Sequence, residues 1–298
     1  MNINLIGVPL YFGCDKQGVQ KGPEVLRKAG IKQLLEQKHK VYDMGDVFVT
    51  DNCDKDPFKA GVNAKYINEI IEVNEGLAHN VYASLCSGSF PFVVGGDHSL
   101  AAGSLAGVSK YFKEDLAVIW IDAHGDINTF KSSPTGNVHG MPLAASMGVG
   151  EKPLTDIYFD GIKVKSNHVF IIGARDLDEG ELELIDELNL NVWTMDKIKS
   201  IGVEDMCKEL KDRLNKINVN NIHLSFDIDS LDPEHIIGTG TPVEDGLSME
   251  EGKVILEEIF NTGLVKSMDF VEFNPDLDDS NLTLDNCMKV IEEVGKLI

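Results

Sequence analysis

Leu116-Ala-Val-Ile-Trp-Ile-Asp-Ala-His-Gly-Asp126 is an apolar run that ends abruptly in ionisable side chains. The same pattern returns in Ile222-His-Leu-Ser-Phe-Asp-Ile-Asp229. Each apolar half reads as a strand buried on both faces, and such strands belong to parallel sheets covered by helices. Uncompensated buried charge is expensive, so the carboxylates that follow need a reason to be there. Side chains alternate along extended backbone, which predicts that Asp122, His124 and Asp126 point one way, as do Asp227 and Asp229.

Outward from these two runs, strands are predicted near 3–8, 40–47, 91–95, 116–122, 168–173, 191–194, 222–227 and 266–272. Helical periodicity covers 23–37, 62–87, 98–112, 179–188, 203–215, 248–261 and 281–295, with a capping-box signature at Ser248-Met-Glu-Glu251. No repeat, low-complexity segment or linker-like shift interrupts the alternation, so one α/β domain over residues 1–298 is expected. About eight strands suit either an open sheet between helical layers or a closed (β/α)₈ barrel, and both place ligand sites at the carboxyl ends of strands. Residues 123–139 and 228–247 are rich in Gly, Pro, Thr and Asn and leave directly from the acidic clusters. Loops this long inside a compact domain usually carry function.

Bulk properties narrow the partners. The 298 residues are 43% hydrophobic, enough for a large core, and carry a formal charge of −22. That charge, with a pI near 4.6, argues against nucleic acid and anionic membranes, and it suits either a cationic substrate or bound metal that neutralises part of it, between which composition does not choose. The first residues, Met1-Asn-Ile-Asn-Leu-Ile6, lack a basic leader pattern, and no apolar run is long enough to span a bilayer. Cys14, Cys53, Cys86, Cys207 and Cys287 are scattered and lack C-x-x-C spacing, which reads as unpaired thiols in a reducing, cytoplasmic setting.

A third segment, Gly95-Gly-Asp-His98, follows the strand Pro91-Phe-Val-Val94 and joins the two clusters. The candidate metal ligands are therefore His98, Asp122, His124, Asp126, Asp227 and Asp229. Oxygen-rich donors without thiolate favour a hard or borderline ion such as Mn²⁺ over a structural Zn²⁺ site, with Zn, Co or Fe also able to bind. The set is too large for one tetrahedral ion, and two divalent ions with bridging carboxylates balance the four acids. Such a centre lowers the pKa of bound water from 15.7 to about 7, which points to hydrolysis of an electron-poor carbon or phosphorus. The glycine-rich turns Gly95 to Gly103 and Gly238-Thr-Gly-Thr241 match no phosphate-binding signature, and Asp97 would repel a phosphate. His39, His79, His168 and His235 lack acidic neighbours at ligand spacing and read as surface or satisfied structural residues, and His223, within a strand, reads as structural.

Several motifs resemble those of the ureohydrolase family, its arginase branch in particular. They are Gly95-Gly-Asp-His-Ser99, Asp122-Ala-His-Gly-Asp-Ile-Asn-Thr129, Gly136-Asn-Val-His-Gly140, Ser225-Phe-Asp-Ile-Asp-Ser-Leu-Asp-Pro233, Gly238-Thr-Gly-Thr-Pro242 and Val271-Glu-Phe-Asn-Pro275. The likeness runs nearly end to end. It implies a three-layer α/β/α sandwich on a mainly parallel, about eight-stranded sheet, two Mn²⁺ per subunit, and a homotrimer or homohexamer. By the resemblance, His98, Asp122, Asp126 and Asp227 hold one ion, and His124, Asp122, Asp227 and Asp229 the other. A hydroxide between the ions attacks the guanidinium carbon of L-arginine, giving L-ornithine and urea.

The resemblance assigns further roles. Asp126 orients the hydroxide, His139 shuttles protons, and Glu272 pairs with the guanidinium. Asn128, Thr135 and Asn137 take the substrate carboxylate, Asp178 and Glu181 its ammonium side, and Thr241 joins the substrate contacts. Thr135 stands where the family usually has Ser; the hydroxyl stays and an added methyl narrows the pocket. The alternatives are a related enzyme acting on agmatine, guanidinobutyrate or a formimino amino acid, or a catalytically silent metal-binding regulator on the same scaffold.

Overall fold

The structure is a computed structural model that describes residues 1–50 and 55–298. Cys53 lies outside the described residues, whereas Cys14, Cys86, Cys207 and Cys287 are free thiols. Eight strands form one sheet: β1 (Asn2–Val8), β2 (Lys40–Asp46), β3 (Phe90–Gly95), β4 (Ala117–Ile121), β5 (Val169–Ala174), β6 (Asn191–Thr194), β7 (Ile222–Asp227) and β8 (Val265–Val271). Their order is β2-β1-β3-β8-β7-β4-β5-β6, every pair is parallel, and the sheet is open. The barrel alternative is therefore set aside.

Among the described residues, eleven α-helices cover the sheet: α1 (Gly22–Lys28), α2 (Ile31–Leu35), α3 (Ile67–Cys86), α4 (Ala101–Phe112), α5 (Pro142–Ser146), α6 (Lys152–Thr155), α7 (Glu179–Leu188), α8 (Met195–Ile201), α9 (Val203–Ile217), α10 (Met249–Phe260) and α11 (Leu282–Leu297). Alternation along the strands splits the core into layers. On β4, Ala117, Ile119 and Ile121 pack with Leu210 of α9, Ile255 of α10 and Ile291 of α11. Val118 and Trp120 face the other way, against Leu105 of α4 and Leu143 of α5. Burial on both faces is why these strands are continuously apolar.

Differences from the sequence expectation have local causes. The helix expected over 23–37 breaks at Gly30, whose φ of 95° no helix accommodates, and yields α1 and α2. The long helix begins at Ile67 rather than 62. Helices α5, α6 and α8 are too short for their periodicity to register, although Thr194 caps α8 by accepting from Lys197 N. The capping box of Ser248 with Glu251 forms as expected. No helix among the described residues is long and apolar enough to cross a membrane.

The outermost strand β2 is tied to α1 by Arg27, whose Nε and Nη2 donate to Asp43 at 2.9 and 3.1 Å and whose Nη1 reaches Asp46. Burial alone would raise the Asp43 pKa, but the Arg27 hydrogen bonds and charge hold it below the usual carboxylate value. A depressed folded-state pKa contributes stability above the unfolded value and loses it as pH falls below about 4. Asp43→Asn should therefore melt lower than the unaltered protein at neutral pH, by about 1 kcal/mol in stability, with the gap closing in acid. Thermal melts from pH 7 into acid measure this, and a gap that does not shrink at all as the pH falls below about 4 would contradict it.

Candidate metal centre

Strands β3, β8, β7 and β4 stand side by side, and the turns at their carboxyl ends carry His98, Glu272, Asp227 with Asp229, and Asp122 to Asp126. The expected alternation along extended backbone is not what gathers these groups. β4 ends at Ile121, Asp126 has φ of 53°, and Ile228–Ser230 is a single 3₁₀ turn. Glu272 also takes left-handed backbone, with φ of 68°. Each such residue costs about 1–2 kcal/mol, a strain the surrounding fold sustains where two acidic side chains must turn inward. Gly96 makes the close approach possible, because a Cβ there would lie 1.8 Å from the Leu10 carbonyl oxygen.

His98 Nδ1 lies 3.0 Å from Asp122 Oδ2 and 3.1 Å from both Asp126 Oδ2 and Asp227 Oδ2. Despite that proximity the buried nitrogen has no aligned hydrogen-bond partner. Donors about 2.1–2.2 Å from a shared cation and at right angles lie about 3.0–3.1 Å apart, which is the spacing seen here. His124 Nδ1 is 3.3 Å from Asp122 Oδ1 and 3.2 Å from Asp229 Oδ2. Two groups are thus compact enough for an ion, His98 with Asp122 and Asp227, and His124 with Asp122 and Asp229. Asp122 turns one oxygen to each, as a bridging carboxylate does. Asp227 gives Oδ2 to the first group, while its Oδ1 accepts from Asp229 N at 2.9 Å. The donor set fits a pair of divalent ions.

Electrostatics press the same way. Burial and the Asp122 charge push Asp126 up to about 6, and burial with Asp229 and Asp122 pushes Asp227 well above its ordinary value. Burial disfavours charge on His98 and His124, yet their carboxylate neighbours hold both imidazoles well above the usual range. Without cations the cluster relieves its repulsion by holding protons, which bound metal would displace.

Supporting contacts fix the ligands. The His98 ring stacks on Trp120 at 4.0 Å, and its Nε2 lies 2.8 Å from Ser225 Oγ. Trp120 Nε1 donates to Asp122 Oδ2, His124 N to Asp122 Oδ1, and Thr241 Oγ1 to Asp229 Oδ2. Glu272 Oε1 accepts from His98 N at 2.9 Å and lies 3.2 Å from His139 Nδ1. Burial works against charge on His139, but Glu272 raises its pKa to about 9. Asp97 is wholly buried and accepts from Gly13 N and Ser99 N, a structural duty unrelated to phosphate.

One cavity opens onto this centre, and its lining includes Asn128, Thr135, Asn137, His139, Asp178, Glu181, Thr241 and Glu272. Several of these side chains are engaged within the protein. Asn128 Nδ2 donates to Asp178 Oδ2 at 2.8 Å, and Thr135 Oγ1 accepts from Asn137 N. Glu181 accepts from Ile127 N and Asp178 N, so it closes the capping box of α7 while its burial raises its pKa to about 7. His223 binds Ser267 and Asp269, away from the cavity.

Sequence reading missed Trp120, Ser225 and Arg175 as supports of the centre. The Arg175 guanidinium donates to backbone carbonyls of Asp229 at 2.7 Å, Val243 at 2.8 Å and Glu244 at 3.1 Å, with Gly173 and Ser230 at 3.2 Å. It staples the 228–247 loop beneath Asp229. Ser225 lies inside a quoted motif, but nothing in a lone sequence marks an arginine as a carbonyl staple.

Comparison with known proteins decides the family. Residues 1–295 match the Arginase family. The chain belongs to that family. As a member it is a hydrolase. It is 46% identical over 283 residues to an arginase of Brevibacillus brevis, covering 95% of this chain and 93% of the relative. The Bacillus caldovelox arginase structure superposes with a TM-score of 0.92 at 39% identity, over 98% of this chain and 97% of that one. An Entamoeba histolytica arginase in complex with L-ornithine gives 0.90 at 33% identity, over 99% and 97%.

Two outcomes are expected. Mn²⁺ at a hundredfold excess over its dissociation constant should stabilise the fold by about 2.7 kcal/mol, and Asp229→Asn should shrink that gain; equal melting with Mn²⁺ and with chelator would exclude a metal centre. Arg175→Met should cost about 2–4 kcal/mol, because the carbonyls of the buried residues Gly173, Asp229 and Ser230 lose a donor. Denaturant unfolding measures it, and a loss under 1 kcal/mol would remove the staple.

Proposed function

We propose that this chain hydrolyses L-arginine to L-ornithine and urea, using two Mn²⁺ ions held by His98, Asp122, His124, Asp126, Asp227 and Asp229. The observation that carries the reading is the pair of imidazole–carboxylate groups sharing Asp122, set at the floor of a cavity with Glu272 and His139. When bound, the ions supply Lewis acidity and lower the pKa of water into the neutral range. Family membership supports arginine as substrate, as does the L-ornithine complex of the Entamoeba histolytica relative.

The residues divide the work by chemistry. A planar guanidinium carries N–H donors that suit a buried carboxylate, and Glu272, 2% exposed, offers the oxygen that His98 N and His139 Nδ1 leave free. Asp126, adjacent to His98, is placed to hold the attacking water by accepting its proton. Water oxygen adds to the guanidinium carbon, the bond from that carbon to the side-chain nitrogen breaks, and the departing amine takes a proton. Glu272 raises the His139 pKa and takes its Nδ1, so Nε2 is the nitrogen that can deliver that proton. Asp178 offers a carboxylate to the α-ammonium, while Asn128, Thr135, Asn137 and Thr241 offer neutral polar groups.

With Mn²⁺ present, urea should form from L-arginine and far more slowly from agmatine. Urea from agmatine and not from arginine would reject the substrate. His139→Ala should retain metal but slow turnover by about 10²–10⁴-fold, and an unchanged kcat would remove His139 from the proton path.

A further inference from the structure

The cavity loop from Asn128 to His139 is held by a segment distant in sequence. Asn63 Nδ2 donates to the carbonyl oxygens of Phe130 and Ser133, both at 2.9 Å, and Lys65 N donates to Gly136 O at 2.8 Å. The Lys65 ammonium then donates to Asn137 Oδ1 and to Asp15 Oδ1, each at 2.8 Å. Asn137 Nδ2 donates to Asp15 Oδ2 at 3.0 Å and closes the ring. Both ends of the Asn137 carboxamide are thereby gripped, and the cation dictates which end is oxygen. One of its two N–H donors goes to Asp15, and the other is left for a ligand.

Charge gives this ring its meaning. Among the described residues lining the cavity there is no lysine or arginine, while Asp126, Asp227, Asp229 and Glu272 make its floor acidic. Lys65 is a cation bonded directly to a lining side chain, and it is only 18% exposed, so water screens it weakly. Accepting from that ammonium polarises the Asn137 amide and strengthens its remaining N–H as a donor to an anion. Prior fixing of the carboxamide also removes an ordering cost from ligand binding.

We propose that the Asp15–Lys65 ion pair clamps Asn137 to receive an anionic group at the ligand end remote from the guanidinium, making Lys65 a positioning residue that sets preference for amino acids over amines. The proposal rests on the hydrolytic reading above. Neither Lys65 nor Asp15 contacts the metal groups, so the clamp acts on binding and leaves the bond-breaking step alone.

The test compares Lys65→Met, Lys65→Arg and Asp15→Ala with the unaltered Mn²⁺-loaded protein. Urea release gives KM and kcat for L-arginine, and calorimetry gives Kd for L-ornithine and for 1,4-diaminobutane, which lacks the carboxylate. Lys65→Met should raise KM and the ornithine Kd about tenfold, the size of a lost charge-assisted hydrogen bond, with kcat within about twofold and diaminobutane unaffected. Lys65→Arg should restore most of the loss. Asp15 is 58% exposed, so Asp15→Ala keeps the fold and should raise the same two constants by opening the ring from its other side. A lowered KM in Asp15→Ala would mark simple charge removal and overturn the clamp. So would an unchanged ornithine Kd in Lys65→Met, or equal weakening of ornithine and diaminobutane. If the unaltered protein made no urea from arginine, the hydrolytic reading would fail, and the ornithine titration would still decide the clamp.

Discussion

Asp122, Asp227 and Asp229 are each at most 2% exposed and converge with Asp126 on two imidazoles, so like charges crowd where water cannot screen them. Backbone amides answer part of this repulsion, since His124 N and Asp229 N each donate to a cluster carboxylate. Trp120 and Thr241 add one donor each. The orphaned His98 nitrogen shows that protein donors do not finish the task. Most of what surrounds the centre can be understood as holding mutually repelling groups at ion-binding spacing until a cation arrives.

Sheet order makes that possible. β3, β8, β7 and β4 are neighbours although three helix-bearing connections separate β4 from β7 in the chain. Parallel pairing brings all four carboxyl ends to the same edge. The strands themselves were legible because burial on both faces leaves continuous apolar runs, and the ligands were legible because they interrupt those runs with charge. The mode of convergence was not. Alternation along a strand would have aimed Asp122 and Asp126 in parallel, whereas the left-handed turn at Asp126 folds the chain back over the strand end. Backbone conformation of that kind leaves no mark on residue type, since aspartate is ordinary in any turn.

The supports were hidden for a different reason. Arg175 and Asn63 act on backbone carbonyl oxygens, which every residue possesses, so no partner side chain betrays the contact, and the Lys65 ammonium reaches the side chains of Asp15 and Asn137 from 50 and 72 residues away in the chain. Glu181 shows the converse problem. The family resemblance assigned it a ligand contact, and it does line the cavity, yet both of its oxygens already accept backbone N–H groups. One carboxylate can brace the loop and still set the local field, and residue identity does not separate the two.

Chemistry and recognition therefore sit on different kinds of structure. The metal groups hang from the ends of central strands, where packing on both faces limits movement. The cavity rim is built from the 128–139 loop, fastened through Asn63 and Lys65 on one side and through Asn128 to Asp178 on the other. Either fastening holds polar groups of the cavity rim, whereas the strand termini are held by the sheet. The metal-capable donors and the cavity rim are thus positioned by different parts of the fold, so the rim can vary without disturbing the donor cluster.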